Sequence, residues 1–337
     1  MNDDVLSAVV SYLDSASARQ LSYTAHEIHA IAQGHALRSV EFHSIENAVK
    51  FFVYMLDEVP HRLRALHELY LRCEVFTTFT GSYPERPHPK AFYADGVSLL
   101  THLLREAVNL RVLVMASAEA WMKYEPDMVS ALARMRALKE VDFGSTGLHT
   151  SDFLHKMQSA PRKLLLCAPR FDPNFLPRRL VFDTHLSFST VEVLSMTDHL
   201  SHHFPGPDRL AQTFPNVKAF SIFRKQPRHN PESPKVTWPR LERIHGTVGS
   251  LQGWTTGTPV HLLDLFGFLS CSQRGSLRTV RDTIFATPLP PCTAADSVVA
   301  CFQPVALILR LELPKEPEHV EQSLIKSSPR WLPIRGG

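Results

Sequence analysis

The sequence of 337 residues is 44% hydrophobic, with 36 basic and 33 acidic side chains and a formal net charge of +3. That charge is too small to indicate a nucleic-acid partner, and no dense basic run changes this. No apolar stretch reaches the ~18 residues of a membrane-spanning helix. The chain also opens with acids where a signal peptide is basic. We therefore expect no membrane partner and a location in the cytoplasm, the nucleus or both.

Residues 1–40 show helical periodicity without a strand pattern, and they predict three short helices. The first begins at a cap on Asn2 or Asp3, because both residue types accept hydrogen bonds from the first turn. A second begins at Ser15 or Ser17, and a third starts at a later serine or threonine cap and ends near Gly34. The apolar face of the first helix consists of Val5, Leu6, Val9, Val10 and Leu13.

A hydrophobic phrase, apolar-x-x-apolar-x-apolar, recurs after this region. Its last two apolar positions alternate as they do in a β-strand with one buried face. The spacing is 28 residues from Leu110 to Leu138 and 24 from Val217 to Leu241, whereas leucine-rich repeats have about 20 to 29 residues. The phrases are Leu66/Leu69/Leu71, Leu110/Leu113/Met115, Leu138/Val141/Phe143, Pro161/Leu164/Leu166, Val191/Leu194/Met196 and Val217/Phe220/Ile222.

The segments that precede these phrases carry apolar residues at helical spacing, over 98–107, 126–136, 151–158 and 209–213. Alternating helices and strands with one repeated phrase predict an α/β leucine-rich-repeat solenoid with a parallel sheet on its concave face. The alternative is a doubly wound α/β domain. The chain lacks the glycine-rich phosphate loops that are typical of such a domain, which favours the solenoid.

The repeat pattern is less regular near both of its ends. Leu66 and Leu110 are 44 residues apart, which indicates an insertion or a missed repeat between them. Leu277/Val280 matches the phrase loosely, and Ala306/Leu309/Leu311 predicts one more strand within 305–313. The charged segment 314–337 predicts a poorly ordered tail. The predicted domains are therefore a helical region at 1–40, a solenoid at 41–313 and this tail.

Residues that could support catalysis or metal binding form no convincing site. The five cysteines include no Cys-x-x-Cys pair, and no Gly-x-Ser-x-Gly motif is present. His199, His202 and His203, with Asp198, are the densest group of potential metal ligands, but their proline- and glycine-rich context indicates a surface loop. We therefore predict no catalytic, metal or cofactor-binding residue, and a protein that is not an enzyme.

The helical region carries a resemblance to a known family. The strings Asp-Asp-Val-Leu at 3–6, Val-Val-Ser-Tyr-Leu-Asp at 9–14 and Arg-Gln-Leu-Ser at 19–22 resemble a degenerate F-box. In that family, three helices bind the Skp-type adaptor of cullin-RING ubiquitin ligases, and leucine-rich repeats often follow. The whole chain resembles the F-box-like proteins with leucine-rich repeats that are abundant in basidiomycete fungi. Asn2 stands where the family has proline.

The resemblance implies a substrate-recruiting subunit, with the adaptor bound by the N-terminal helices and a client protein bound by the repeats. The implied adaptor contacts are Val5, Leu6, Val9, Val10, Leu13 and Leu21. Side chains near strand ends are candidates for client contact, namely Tyr70, Arg72, Arg111, Glu140, Asp142, Glu192 and Lys218.

Three alternatives stay open at this point. Residues 1–40 could only cap the open end of the solenoid, which terminal repeats require in any case. The chain could be a leucine-rich-repeat scaffold without ubiquitin function. It could also be an enzyme on a different α/β fold.

Overall fold

The computed structural model describes residues 3–24, 26–57, 60–73, 90–168, 180, 182, 185–198, 206–224, 238–251, 260–268 and 306–312. Within them the chain is α/β, with helices that alternate with short strands over most of its length. The helices are α1 (Asp3–Ser11), α2 (Ser15–Ser22), α3 (His26–Ala36), α4 (Ile45–Leu56), α5 (Pro60–Ala65), α6 (Lys90–Glu106), α7 (Ala118–Tyr124), α8 (Pro126–Arg134), α9 (Leu148–Lys156), α10 (Pro207–Thr213) and α11 (Val248–Leu251).

The strands of the described residues form a single ten-stranded sheet. Every neighbouring pair is parallel. The strands are β1 (Ser39–Phe42), β2 (Glu68–Leu71), β3 (Val112–Met115), β4 (Glu140–Phe143), β5 (Lys163–Cys167), β6 (Val193–Asp198), β7 (Ala219–Arg224), β8 (Arg243–Thr247), β9 (Leu262–Phe268) and β10 (Ala306–Glu312).

The order of the strands in the sheet is their order in the sequence, from β1 to β10. A doubly wound sheet reverses its order at a switch point, because its helices cover both faces. Here the order never reverses and the sheet does not close. The predicted parallel sheet is therefore confirmed, and each unit of the chain adds one strand beside the previous one.

The recurring phrase explains how each strand is held. Leu113 pairs with Leu69 on one side and with Val141 on the other. All three are fully buried, so equivalent phrase positions form continuous apolar rows through the sheet. The intervening residues lie on the opposite face, because side chains alternate along a strand. One face of the sheet thus packs on the helices, while the other presents polar side chains such as Glu68 and Tyr70 together with apolar ones such as Val112 and Val114.

Two strands of the sheet match the apolar phrase at positions where no strand was predicted. Leu37/Val40/Phe42 forms β1, inside the segment assigned to helices, and Val260/Leu263/Leu265 forms β9. Val260 follows Leu241 by only 19 residues, which is shorter than the expected period. The loosely matching Leu277/Val280 lies outside the described residues.

The long spacing between the second and third strands reflects an insertion, because β2 pairs directly with β3. The predicted last strand is also confirmed, since β10 pairs in parallel with β9. The predicted helix end at Gly34 is wrong, as is the assignment of residues 39–40 to the helical region. The N–H of Leu37 donates to the carbonyl of Gln33 at 3.0 Å, so the helical turn continues past Gly34 to Ala36.

The core divides into two parts. A contiguous cluster of buried apolar side chains runs from Val40 to Leu265 beneath the sheet. The buried residues of α1 to α3 lie outside that cluster, and they are Leu6, Val10, Ala18, Ala32 and Ala36. The first three helices thus form a small unit of their own at one end of the sheet.

Candidate functional site

The first helix has two apolar faces with different surroundings. Leu6 and Val10 are buried, with 7% and 1% of their surface exposed, and they hold α1 against the rest of the helical unit. Val5 and Val9 are 51% and 52% exposed on the neighbouring face. Of the predicted adaptor contacts on α1, only this second pair is available to a partner in the present conformation.

The two remaining predicted contacts, Leu13 and Leu21, are half-buried. Sequence reasoning missed two large exposed side chains beside them, Tyr12 at 89% and Tyr23 at 77% exposure. Tyr12 follows Val5 by seven residues, which is two helical turns, so the helical period could have identified it. Val5, Val9 and Tyr12 recur at helical spacing and form an exposed apolar patch, which we call the N-terminal patch. Tyr23 is exposed after α2, beside the cavity that Phe42 and Phe51 line.

Local hydrogen bonds fix the geometry under this patch. Asp14 is the N-cap of α2, and its carboxylate accepts from the N–H of Ser17 at 2.6 Å. This hydrogen bond holds the pKa of Asp14 below its ordinary value. A ring nitrogen of His35 lies 2.9 Å from the carbonyl oxygen of Leu13, which ties the link between α1 and α2 to α3. The N-terminal patch is thus presented by an interlocked group of helices.

The helical unit is joined to the sheet through α3 and α4. The Gln33 side-chain amide donates to the Tyr54 hydroxyl at 2.6 Å, and the Arg62 guanidinium lies 4.1 Å from the centre of the Tyr54 ring. A cavity of about 480 Å³ lies beside this contact, with Phe42 and Phe51 in its wall. The joint is partly polar, as is common between units that fold around separate cores.

The outward face of β2 to β5 carries a network of polar side chains. The Tyr70 hydroxyl donates to Glu68 at 3.2 Å, and Ser39 donates to the same carboxylate oxygen at 2.9 Å. On β4 and β5, the Lys163 ammonium lies 2.9 Å from the Glu140 carboxylate. All of these side chains are half-buried, and they form a polar group on a face that also carries Val112, Val114 and Leu165.

Asp142 lies in the middle of this face. Burial raises its pKa, while the cations Arg72 and Lys163 oppose that rise. The Arg72 guanidinium pairs with Glu41 and lies 5.7 Å from the centre of the Tyr70 ring. The structure therefore brings four predicted client contacts, Tyr70, Arg72, Glu140 and Asp142, into one patch.

The remaining predicted client contacts lie apart from it. Glu192 and Lys218 form an ion pair at 3.2 Å, two strands further along the sheet. Arg111 is exposed and forms no ion pair among the described residues.

The histidine cluster considered from sequence falls largely outside the described residues, which end at Asp198 and resume at Gly206. Over the described part of the chain, no group of three or more histidine, cysteine or acidic side chains could hold a metal ion. In the same part, no helix combines the length and the apolar character needed to cross a membrane. The surfaces described above are accordingly the candidate functional sites.

Comparison of the sequence with models of protein families gives no match, and comparison with curated proteins gives none either.

Proposed function

We propose that the chain is a protein-interaction subunit of the F-box type, built as a leucine-rich-repeat solenoid with an N-terminal adaptor-binding unit. In this proposal the N-terminal patch binds the Skp-type adaptor of a cullin-RING ubiquitin ligase, and the sheet face binds a client protein. The chain itself performs no chemistry.

The N-terminal patch is the observation that supports adaptor binding. Val5, Val9 and Tyr12 are large apolar or aromatic side chains at the surface of a unit whose described buried residues are small apart from Leu6 and Val10. Exposed aromatic and aliphatic side chains grouped on one surface are typical of protein interfaces. The sequential parallel sheet supports the client-binding half of the proposal, since an open repeat array offers an extended surface.

The test is adaptor capture by purified protein that carries Val5→Asp and Val9→Asp together. Both side chains are about half exposed, so the substitutions leave the core intact while they place charge in the contact. We expect capture to weaken by at least about tenfold, as for hot-spot residues at an interface. Retention of capture by the double variant would contradict adaptor binding through this patch.

A matched control uses two exposed valines elsewhere. Val53 on α4 and Val108 after α6 are 52% and 66% exposed. Substitution of both by aspartate adds the same charge at similar exposure, and we expect adaptor capture to stay at the level of the unmodified protein.

A second candidate function rests on the joint between the helical unit and the sheet. The Gln33–Tyr54 hydrogen bond and the packing of α3 beside β1 are the contacts expected of a terminal cap. If the unmodified protein captures no adaptor, α1 to α3 serve as this cap, and the chain is a binding scaffold without a role in ubiquitination.

A further inference from the structure

One residue per unit, immediately after the first apolar residue of the phrase, lies at the point where the chain enters each strand. In the first five units this residue is basic or histidine. These side chains form what we call the basic column, and they are Arg38, His67, Arg111, Lys139 and Arg162.

Backbone hydrogen bonds place the members of the basic column side by side. The N–H of Arg111 donates to the carbonyl of His67 at 2.7 Å, and the same contact joins Lys139 to Arg111 at 2.7 Å and Arg162 to Lys139 at 2.8 Å. Adjacent strands are ~4.8 Å apart. Side chains of like charge therefore stand directly next to each other, which is unfavourable without a counter-charge.

The acids nearest to the basic column are engaged with other groups. Glu68 accepts hydrogen bonds from Ser39 and Tyr70, and Glu140 pairs with Lys163. Among the described residues, none forms an ion pair with the four exposed cations of the basic column, which are Arg38, Arg111, Lys139 and Arg162.

The next units provide an internal contrast. There the equivalent residues are Glu192, Lys218 and Glu242, joined by the same backbone contacts at 2.8 Å. Their charges alternate, and Lys218 pairs with Glu192 at 3.2 Å. The same structural position is therefore neutralised internally in the later units, whereas four of the first five units carry a cation there that has no ion-pair partner among the described residues.

The column ends at a cavity of about 280 Å³ between the helical unit and β2. Arg38 and His67 line it together with His35 and Ser7. The Nδ1 atom of His67 is buried there and has no hydrogen-bond partner within the described structure. Burial, and then the positive charges of Arg38 and Arg111, lower the pKa of His67, as expected beside uncompensated cations.

We propose that the basic column binds an acidic segment of a protein partner, in extended conformation across the first five strands. Five strands at ~4.8 Å span about 19 Å, or roughly six residues of extended peptide. An acidic segment is thereby the class of client for the F-box-type subunit, and this part of the proposal rests on the proposed function. The binding step itself does not require the adaptor.

The surroundings of the basic column favour a peptide over single-stranded RNA. RNA binding uses aromatic side chains on which bases stack, and among the described outward residues of β1 to β5 only Tyr70 is aromatic. Glu41, Glu68 and Glu140 lie on the sheet face beside the basic column. These carboxylates would repel a continuous phosphate backbone. They would tolerate an extended peptide whose acidic side chains face the basic column and whose alternate side chains are neutral or basic.

The test measures fluorescence anisotropy of a labelled peptide of alternating Glu and Ser, the same peptide with Gln for each Glu, and a labelled oligouridine. We expect binding of the acidic peptide alone, weakened by salt. The triple variant Arg111→Glu, Lys139→Glu and Arg162→Glu should weaken it at least about tenfold, because three favourable charge contacts become repulsive. The triple variant should in turn bind a Lys/Ser peptide, and a urea-unfolding transition like that of the unmodified protein shows that it is folded.

The matched control reverses three exposed cations on the helical side, Lys50, Arg134 and Arg136, with the same change in net charge. We expect an affinity for the acidic peptide within about twofold of the unmodified protein. The proposal would be overturned if the control variant weakened binding equally or if the Gln peptide bound as well as the acidic one. It would also be overturned if oligouridine bound more tightly or if the acidic peptide did not bind at all.

Adaptor capture by the same preparations separates this proposal from the proposed function. The triple variant should capture adaptor normally while peptide binding is lost. Peptide binding by a chain that captures no adaptor would leave the basic column standing and remove the ubiquitin-ligase role.

Discussion

The helical unit and the sheet are held together by different means. In α1 to α3 the buried residues are mostly small, and large apolar side chains lie at the surface. The strands and the segments packed beneath them bury large side chains such as Trp121, Phe143 and Trp238 almost completely. Burial of a large apolar side chain contributes about 1.5 to 3 kcal/mol. The sheet can therefore stabilise itself, whereas the helical unit depends on its joint with the sheet and has apolar surface to offer a partner.

Glycine substitutions should show the largest difference between the two regions. Gly144 follows β4, and a β-carbon there would overlap the carbonyl oxygen of Ala116. The backbone cannot retreat easily, because the N–H of Gly144 donates to Met115 at 2.9 Å and its carbonyl accepts from Ala118 at 3.0 Å. We expect Gly144→Ala to lower the free energy of unfolding by about 3 kcal/mol, measured by urea denaturation.

Gly34 in the helical unit is the matched control. A β-carbon at this position meets nothing within 4 Å, and α3 continues through it. Gly34→Ala should raise stability by up to about 1 kcal/mol, because alanine is the better helix former. Equal destabilisation by both substitutions would show that the two regions tolerate added volume alike, and the contrast between them would fail.

Helix caps offer the next comparison. Glu119 of α7 is buried against the N-terminus of α9. Its carboxylate accepts from the N–H groups of His149 at 2.9 Å and Thr150 at 3.0 Å, and from the Thr150 hydroxyl at 2.9 Å. Negative charge at a helix N-terminus is favourable. Glu119→Ala leaves buried donors without an acceptor, and we expect a loss of about 2 to 3 kcal/mol in urea denaturation.

Asp14→Ala is the corresponding change in the helical unit. Asp14 caps α2 from an exposed position through one backbone hydrogen bond. Water can replace that contact, so we expect a smaller loss of stability than for Glu119→Ala. Hydrogen exchange should show faster exchange in α9 for the first variant and only in α2 for the second. A larger loss for Asp14→Ala would mean that the helical unit, and not the sheet, limits stability.

The sequence was sufficient for features that repeat or that depend on near neighbours. The phrase at Leu110/Leu113/Met115 predicted β3 and its parallel pairing because alternation and period are both local patterns. The three N-terminal helices were predictable for the same reason. Contacts between distant residues were not, and the capping of α9 by Glu119 joins positions about 30 residues apart with no local signature.

The basic column shows a different limit. Arg111, Lys139 and Arg162 are far apart in the sequence, so no basic run marks them. Only the register of the strands shows that they are neighbours. The sequence does show that the pattern stops at Glu192, which is acidic, but the ion pair between Glu192 and Lys218 is visible only in the structure.

The smallest expected effect concerns Asp142 on the sheet face. Burial raises its pKa, so the native state holds the proton more tightly than the unfolded chain does. Stability then falls as pH rises from the ordinary value of 3.8 through the native pKa, and the full penalty is present at neutral pH. Asp142→Asn removes the buried charge and should raise the free energy of unfolding at neutral pH by less than about 1 kcal/mol.

The pH dependence distinguishes this cause from a general effect of the substitution. The advantage of Asp142→Asn should shrink as pH falls toward 3.8, where the unmodified side chain is protonated. Asp127, which is 69% exposed and pairs with Arg105 at 2.7 Å, gives the control. Asp127→Asn should lower stability slightly at neutral pH, because it removes an exposed ion pair. If Asp142→Asn lowered stability at neutral pH as well, attraction by Arg72 and Lys163 would outweigh burial, and the sheet face would depend on Asp142 as a counter-charge.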